Sequence, residues 1–107
     1  MFVFNEECKV TPCEPGVERK ILSWSEELMM CEIRFKEGAV GNTHTHPHLQ
    51  ITYIAEGEFD FTIGEETRRV QKGDSVYMPS GISHGVKCVK AGVLVDVFNP
   101  KRDEFLA

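Results

Sequence analysis

The sequence predicts an all-β chain folded as one domain over residues 1–107, a small closed barrel rather than an open sheet. Three observations lead there. Apolar and polar residues alternate with a period of two through several short runs, as in half-buried strands. Each run stops at a turn signal rich in Gly, Pro or Asp. Three histidines and a glutamine (His44, His46, His84 and Gln50) lie in two separated segments, and a barrel interior can gather such residues at one point.

The strands follow in order. Cys31, Ile33 and Phe35 alternate with Glu32, Arg34 and Lys36, and Lys36-Glu37-Gly38 turns the chain. Ile51–Ala55 is β-branched and aromatic and stops at Glu56-Gly57. Phe59, Phe61 and Ile63 alternate with Glu58, Asp60 and Thr62 up to Gly64. Arg68–Gln71 leads to the turn Lys72-Gly73-Asp74, and Ser75–Met78 ends at Pro79. His84–Val89 and Val93–Phe98 complete the set. Helix signals are weak: one terminal turn over Arg102–Leu106, and another over Ser23–Leu28 capped by Ser23 or Ser25. About eight or nine short strands mean a sandwich or a barrel, and the ligand positions favour the barrel. His44 and His46 are two apart, so a strand would turn them to one face. Gln50 and His48 continue that parity, and His84 must come from a strand opposite or alongside.

Composition narrows the function. The 107 residues carry a net charge of −5 and are 41% hydrophobic, which is ordinary globular composition. No basic stripe is present, which argues against nucleic acid as a partner. No apolar run reaches membrane-spanning length, so no membrane partner is expected. Met1–Phe4 is apolar but lacks a basic flank and runs straight into Asn5-Glu6-Glu7, so no secretory signal is read and a cytoplasmic location is expected. None of the four cysteines forms a C-x-x-C pair. Cys31 and Cys88 sit in or near alternating apolar runs and read as reduced structural thiols. Cys8 and Cys13 flank Pro12 and read as loop thiols, with a metal or redox role as the alternative.

Three neutral imidazoles and a side-chain carbonyl suit one divalent transition metal (Zn, Mn, Ni or Fe) that keeps part of its coordination sphere open. A lone histidine is more often a buried, hydrogen-bonded one, but three in register favour ligation by His44, His46 and His84. Gln50 is either the fourth ligand or a hydrogen-bond donor beside the ligands. His48 reads as a neighbour of the site, not a fourth imidazole. A neutral Gln50 leaves the metal its full charge, which favours an anionic substrate whose carboxylate or alkoxide meets the metal. Asp96 shares strand parity with Leu94 and Phe98. It is either at a solvated strand end or a poised acid/base with a raised pKa. Arg102 pairs at the surface with Asp103 or Glu104, or folds over the barrel mouth to grip a carboxylate.

The spacing Gly38-x5-His44-x-His46-x3-Gln50-x6-Gly57 resembles the first cupin motif, with Gln where Glu is usual. Gly73-x5-Pro79-x-Gly81-x2-His84 resembles the second, with Cys88 where Asn is frequent. Fifteen residues separate the two, and both lie within residues 38–88. The resemblance implies a double-stranded β-helix, or jelly-roll, with a metal inside. The wider chain resembles the small KdgF-type pectin-degradation cupins. The matching stretches are Val17-Glu-Arg-Lys-Ile-Leu22, Gly38-Ala-Val-Gly41, His44-x-His-Pro-His-x-Gln50, Phe59-x-Phe-Thr-Ile-Gly64, Gly92-Val-Leu-x-Asp-Val-Phe98 and Arg102-x-x-Phe105-Leu106. That resemblance implies an enzyme that opens and ketonises a 4,5-unsaturated monouronate, the product of pectin or alginate lyases, to a linear 5-keto-4-deoxyuronate. It puts the metal ligands at His44, His46, Gln50 and His84, an acidic residue at Asp96, an aromatic wall at Phe98 and an arginine at Arg102. The partner is then a small anionic sugar acid. A homodimer is expected from a partly apolar outer sheet, with Met1–Phe4 as a cross-subunit strand. Two other readings fit the same ligands: an Fe(II)-dependent cupin dioxygenase, and a non-catalytic sugar- or acid-binding cupin.

Overall fold

Two long antiparallel strands, β5 (Leu49–Ile63) and β8 (His84–Asn99), form the spine of the computed structural model, which describes residues Met1–Ala107. The sequence reads each as two short strands, because a bulge breaks the period-two pattern midway. The register of β5 against β8 shifts at Ile54/Glu56, Glu56/Glu58 and Glu58/Phe59. Gly57 and Gly92 allow this. Gly57 has φ +86°, and a Cβ there would lie 2.5 Å from the Lys90 carbonyl oxygen. A Cβ on Gly92 would lie 2.1 Å from the Glu56 carbonyl oxygen. Only glycines let the two backbones approach this closely at the bend.

The bend divides each long strand between two sheets. The first half of β5 pairs with β7 (Ser75–Met78) and with the second half of β8. β8 in turn pairs with β3 (Met29–Phe35), which continues to β2 (Val17–Trp24) and β1 (Thr11–Pro12). The second half of β5 pairs with β6 (Glu66–Gln71) and with the first half of β8, which also pairs with β4 (Val40–His44). The result is the expected all-β jelly-roll of eight strands. Phe35 from one sheet meets Phe59 from the other edge-to-face, with ring centroids 5.3 Å apart. Val17, Ile54, Phe61, Met78, Cys88 and Leu94 fill in around them. A smaller cluster of Met29, Cys31 and Phe98 lies towards the other end of β3 and β8.

One local expectation needs correction. Ser23–Leu28 forms no helical turn. β2 runs to Trp24, and the Ser25 hydroxyl accepts from the Glu27 and Leu28 amides at 3.3 Å, closing a tight turn into β3. Ser25 is thus a capping residue, but of a turn. Met1–Phe4 forms no strand within the chain, and all four side chains are exposed. The one-turn helix near the C-terminus does form, as α1 (Asp103–Leu106). No helix is long and apolar enough to cross a membrane.

Candidate metal centre and cavity

The four candidate ligands converge, but not by shared strand parity. His44 ends β4 and pairs directly with His84, the first residue of β8. His46 lies beyond β4 in the connection to β5, and Gln50 is the second residue of β5. The connection at Pro47-His48 resets the parity that the sequence suggested. One ligand atom from each of His44, His46 and His84 lies within 4.8 Å of the others. Their ring centroids are 4.5 Å (His44–His84), 4.9 Å (His46–His84) and 5.5 Å (His44–His46) apart.

Backbone carbonyls fix which nitrogen each ring presents. Nδ1 of His44 donates to the Asn42 carbonyl at 2.8 Å, Nδ1 of His84 to Ile82 at 3.0 Å, and Nδ1 of His46 to His48 at 3.1 Å. A neutral imidazole with its proton on Nδ1 offers a lone pair on Nε2, the form that ligates metals. Burial favours that neutral form: desolvation lowers the pKa of His46, and that of His84 to about 4. Nε2 of His84 is buried without any hydrogen-bond partner.

The Gln50 amide shows the same need for a cation. Its nitrogen donates to Thr52 Oγ1 at 3.0 Å, and the Thr52 hydroxyl donates to Asp96 Oδ1 at 2.6 Å. That directs Gln50 Oε1 to His46 Nε2 at 2.9 Å. Two lone pairs then face one another in a buried site. The separation matches neighbouring donors on one divalent ion, each at about 2.1 Å. The donor set therefore fits a divalent metal held by His44, His46, His84 and Gln50. His48 lies outside the set: its Nε2 donates to the Lys101 carbonyl at 3.1 Å.

That bond helps to hold the C-terminal segment over the barrel, together with Asn99 Nδ2, which donates to the Glu27 carbonyl at 2.7 Å. Arg102 consequently folds inward, with its side chain only 11% exposed, while still pairing with Glu104. Arg102 thus lines the cavity and pairs with Glu104 at once. Its guanidinium lies 5.0 Å from the Phe98 ring centroid and 4.4 Å from that of Phe105. Phe98 is buried and meets His46 edge-to-face at 5.8 Å.

A cavity of about 310 Å³ opens on this cluster, with His44, Gln50, His84, Asp96, Phe98 and Arg102 in its wall. Its size is at the lower end of small-molecule sites. Asp96 is not at a solvated strand end. Desolvation raises its carboxyl to about 6, against the opposing hydrogen bonds from Thr52 and Gln50. Cys88 is buried, and its thiol donates to the Lys90 carbonyl at 3.1 Å. Burial pushes the Cys31 thiol up to about 12. All four cysteines are free thiols, and Cys13 reaches the cavity wall. Sequence reasoning passed over Thr52, Arg19 and Phe105. Thr52 shares strand parity with Gln50, which was a usable signal. Arg19 was hidden because a charged residue at an inward position of β2 breaks the alternation that identifies a strand.

A β jelly-roll that clusters three histidines and a glutamine beside one cavity has the architecture of a cupin. The chain belongs to the cupin family: the family model described as "Cupin domain" matches residues 31–98. It is 43% identical over 93 residues to the pectin degradation protein KdgF of Dickeya dadantii (strain 3937), covering 85% of this chain and 84% of that one. The structure of KdgF from Halomonas sp. superposes with a TM-score of 0.93 at 34% identity, covering 98% and 97% of the two chains. An RmlC-like cupin from Shewanella frigidimarina superposes with a TM-score of 0.94 at 36% identity, covering 97% and 94%. Oxalate decarboxylase OxdC of Bacillus subtilis is 33% identical over 73 residues, which is 64% of this chain and 19% of that protein.

Proposed function

We propose that this protein is a metal-dependent isomerase that opens 4,5-unsaturated monouronates from pectin or alginate breakdown to linear 5-keto-4-deoxyuronates. The observation that carries the reading is the link from Gln50 through Thr52 to Asp96, which joins a neutral ligand set to a desolvated carboxyl in one cavity. The likeness to pectin degradation protein KdgF supports the substrate class.

A divalent ion held by His44, His46, His84 and Gln50 supplies positive charge and Lewis acidity beside a substrate oxygen. Asp96 takes the proton of the anomeric hydroxyl. The electrons left on that oxygen form the C1 aldehyde as the bond from C1 to the ring oxygen breaks. The ring oxygen leaves with the bonding pair as the enolate of C4 and C5. Protonated Asp96 returns the proton to C4, and the enolate becomes the C5 ketone. No atom is gained or lost, so no oxidant is needed. A carboxyl near 6 suits both halves of the transfer at neutral pH. Phe98 forms the apolar floor, and Arg102 places positive charge beside the anionic intermediate.

The reading includes a homodimer built on the exposed apolar face of Met30, Ile51, Tyr53 and Tyr77, and a cytoplasmic location in keeping with four free thiols. The test is the loss of ultraviolet absorbance of the unsaturated uronate on adding metal-loaded protein. Asp96→Ala is expected to reduce that rate to the spontaneous one. Oxygen uptake with no loss of uronate absorbance would replace this reading with oxygenase chemistry.

A further inference from the structure

Arg19 takes an inward position on β2, on the same face as Val17 and Ile21, and its side chain lines the cavity. A guanidinium turned into a barrel needs acceptors, because a buried cation without them is costly. Arg19 lacks them. It enters none of the ion pairs of the chain. Its Nε is buried with no hydrogen-bond partner, and Nη1 donates only to the Cys13 sulfur, a weak acceptor, at 3.6 Å. Its Cζ lies 3.9 Å from the Phe105 ring centroid, a cation–π contact that supplies no hydrogen-bond acceptor to its N–H groups. Glu14, the acidic neighbour in the same wall, accepts from the Asn42 amide at 2.8 Å.

Arg102 is different. It already pairs with Glu104. Its charge acts on His46, His84 and Asp96, groups on which that of Arg19 is not felt, while both arginines act on Cys31 and Arg19 alone on Cys13. The two guanidiniums share the Phe105 ring in the wall of one cavity, but only Arg102 is neutralised by a carboxylate there.

We propose that Arg19 recognises the carboxylate of the bound sugar acid: its unpaired N–H edge takes the carboxylate oxygens, while the hydroxyl and ring oxygens face Asp96 and the metal ligands. This rests on the sugar-acid reading above. Planar, two-pronged donation is what a guanidinium offers a carboxylate and a lysine does not.

Calorimetric binding of D-galacturonate and of its uncharged methyl ester to zinc-loaded protein tests this, with wild type, Arg19→Gln and Arg19→Lys compared. Neither sugar has the unsaturated bond, so binding is read without turnover. Wild type should prefer the acid to the ester. Arg19→Gln should weaken acid binding roughly ten- to hundredfold and leave ester binding within about twofold. Arg19→Lys, which keeps the charge and the contact with Phe105, should retain part of the preference. If the acid and the ester weaken equally in Arg19→Gln, the residue is merely structural and the proposal is overturned. A full preference in Arg19→Lys, should Arg19→Gln fail to fold, overturns it too. Wild type with no preference for the acid also overturns it. Failure of the parent reading looks different: the acid preference depends on Arg19, but the unsaturated uronate is not consumed.

Discussion

Thr52 Oγ1 stands 2.6 Å from Asp96 Oδ1 and receives the Gln50 amide proton at 3.0 Å, so one hydroxyl sets the orientation of a metal ligand and the basicity of a carboxylate. The hydroxyl donates to the ionised form of Asp96 and lowers a pKa that desolvation raises. Thr52→Val keeps the shape and removes the donor. The Asp96 pKa should then rise further. In the proposed ring opening, ionised Asp96 is the base, so the acidic limb of the rate profile should move to higher pH by about one unit. A profile of kcat/KM against pH, with metal content matched, checks it. An unmoved limb would separate Asp96 from the proton transfer.

Gln50→Glu tests the value of a neutral ligand. A glutamate oxygen would meet the metal as a stronger donor, so metal content should be retained or improved. Its second oxygen would replace the amide nitrogen that donates to Thr52 and would face the Thr52–Asp96 pair with another negative charge. Loss of one unit of positive charge beside an anionic substrate should raise KM about tenfold or more. Elemental analysis alongside kinetics separates these effects. A fully loaded Gln50→Glu protein with unchanged kinetics would remove the argument from charge.

In metal-free protein, two desolvated groups should pull stability in opposite directions over one pH window. Burial raises Asp96 from 3.8 to about 6 and lowers His84 from 6.5 to about 4. Between these limits the folded chain keeps the Asp96 proton that the unfolded chain has lost, so this group makes stability fall as pH rises. The folded chain also refuses the His84 proton that the unfolded chain accepts, so that group makes stability rise with pH. Each slope is worth at most about 3 kcal/mol. They largely offset in the wild type. Asp96→Asn should expose the histidine slope, with urea midpoints climbing from pH ~4 to pH ~6.5 in the presence of a chelator. His84→Gln should expose the opposite slope. Parallel pH profiles for the three proteins would contradict both shifts.

What the sequence revealed and what it hid follow from which faces carry charge. Cys31–Phe35 and Phe59–Ile63 are legible because their outward residues are polar and their inward ones apolar. β2 was missed because Arg19 faces inward. β5 and β8 read as four strands because the bulge at Gly57 and Gly92 shifts the register without ending either strand. That His44, His46, Gln50 and His84 come together was legible from their spacing, although the reason given, shared strand parity, fails beyond His44. The Arg19–Phe105–Arg102 cluster was not legible, since no local pattern links β2 to the C-terminal turn.

The bend itself can be tested at Gly92, where an added Cβ would meet the Glu56 carbonyl oxygen at 2.1 Å and its carbon at 2.8 Å. Neither group is the tip of a flexible side chain, so Gly92→Ala must push two backbones apart at the point where β5 and β8 cross between sheets. A destabilisation above about 3 kcal/mol is expected by chemical denaturation, well beyond a surface substitution. Gly73→Ala is the control: a Cβ there meets no atom within 4 Å, and only its positive φ of +97° opposes the change. It should cost less than Gly92→Ala.

The outer face of the larger sheet sets the last prediction. By register, Tyr77, Ile51, Val97 and Met30 stand in one row across β7, β5, β8 and β3, with Tyr53 and Val95 beside them. Tyr77 is 55% exposed, Ile51 52% and Tyr53 48%. In the proposed homodimer this apolar row is the contact face, matched by that of a second copy across a two-fold axis. The exposed Met1–Phe4 segment adds apolar side chains with no partner in their own chain. Ile51→Glu points away from the cavity, because Gln50 and Thr52 on either side point in. It should convert a dimer to a monomer in sedimentation at micromolar concentration while metal content stays unchanged. A wild-type protein that sediments as a monomer would overturn the dimer.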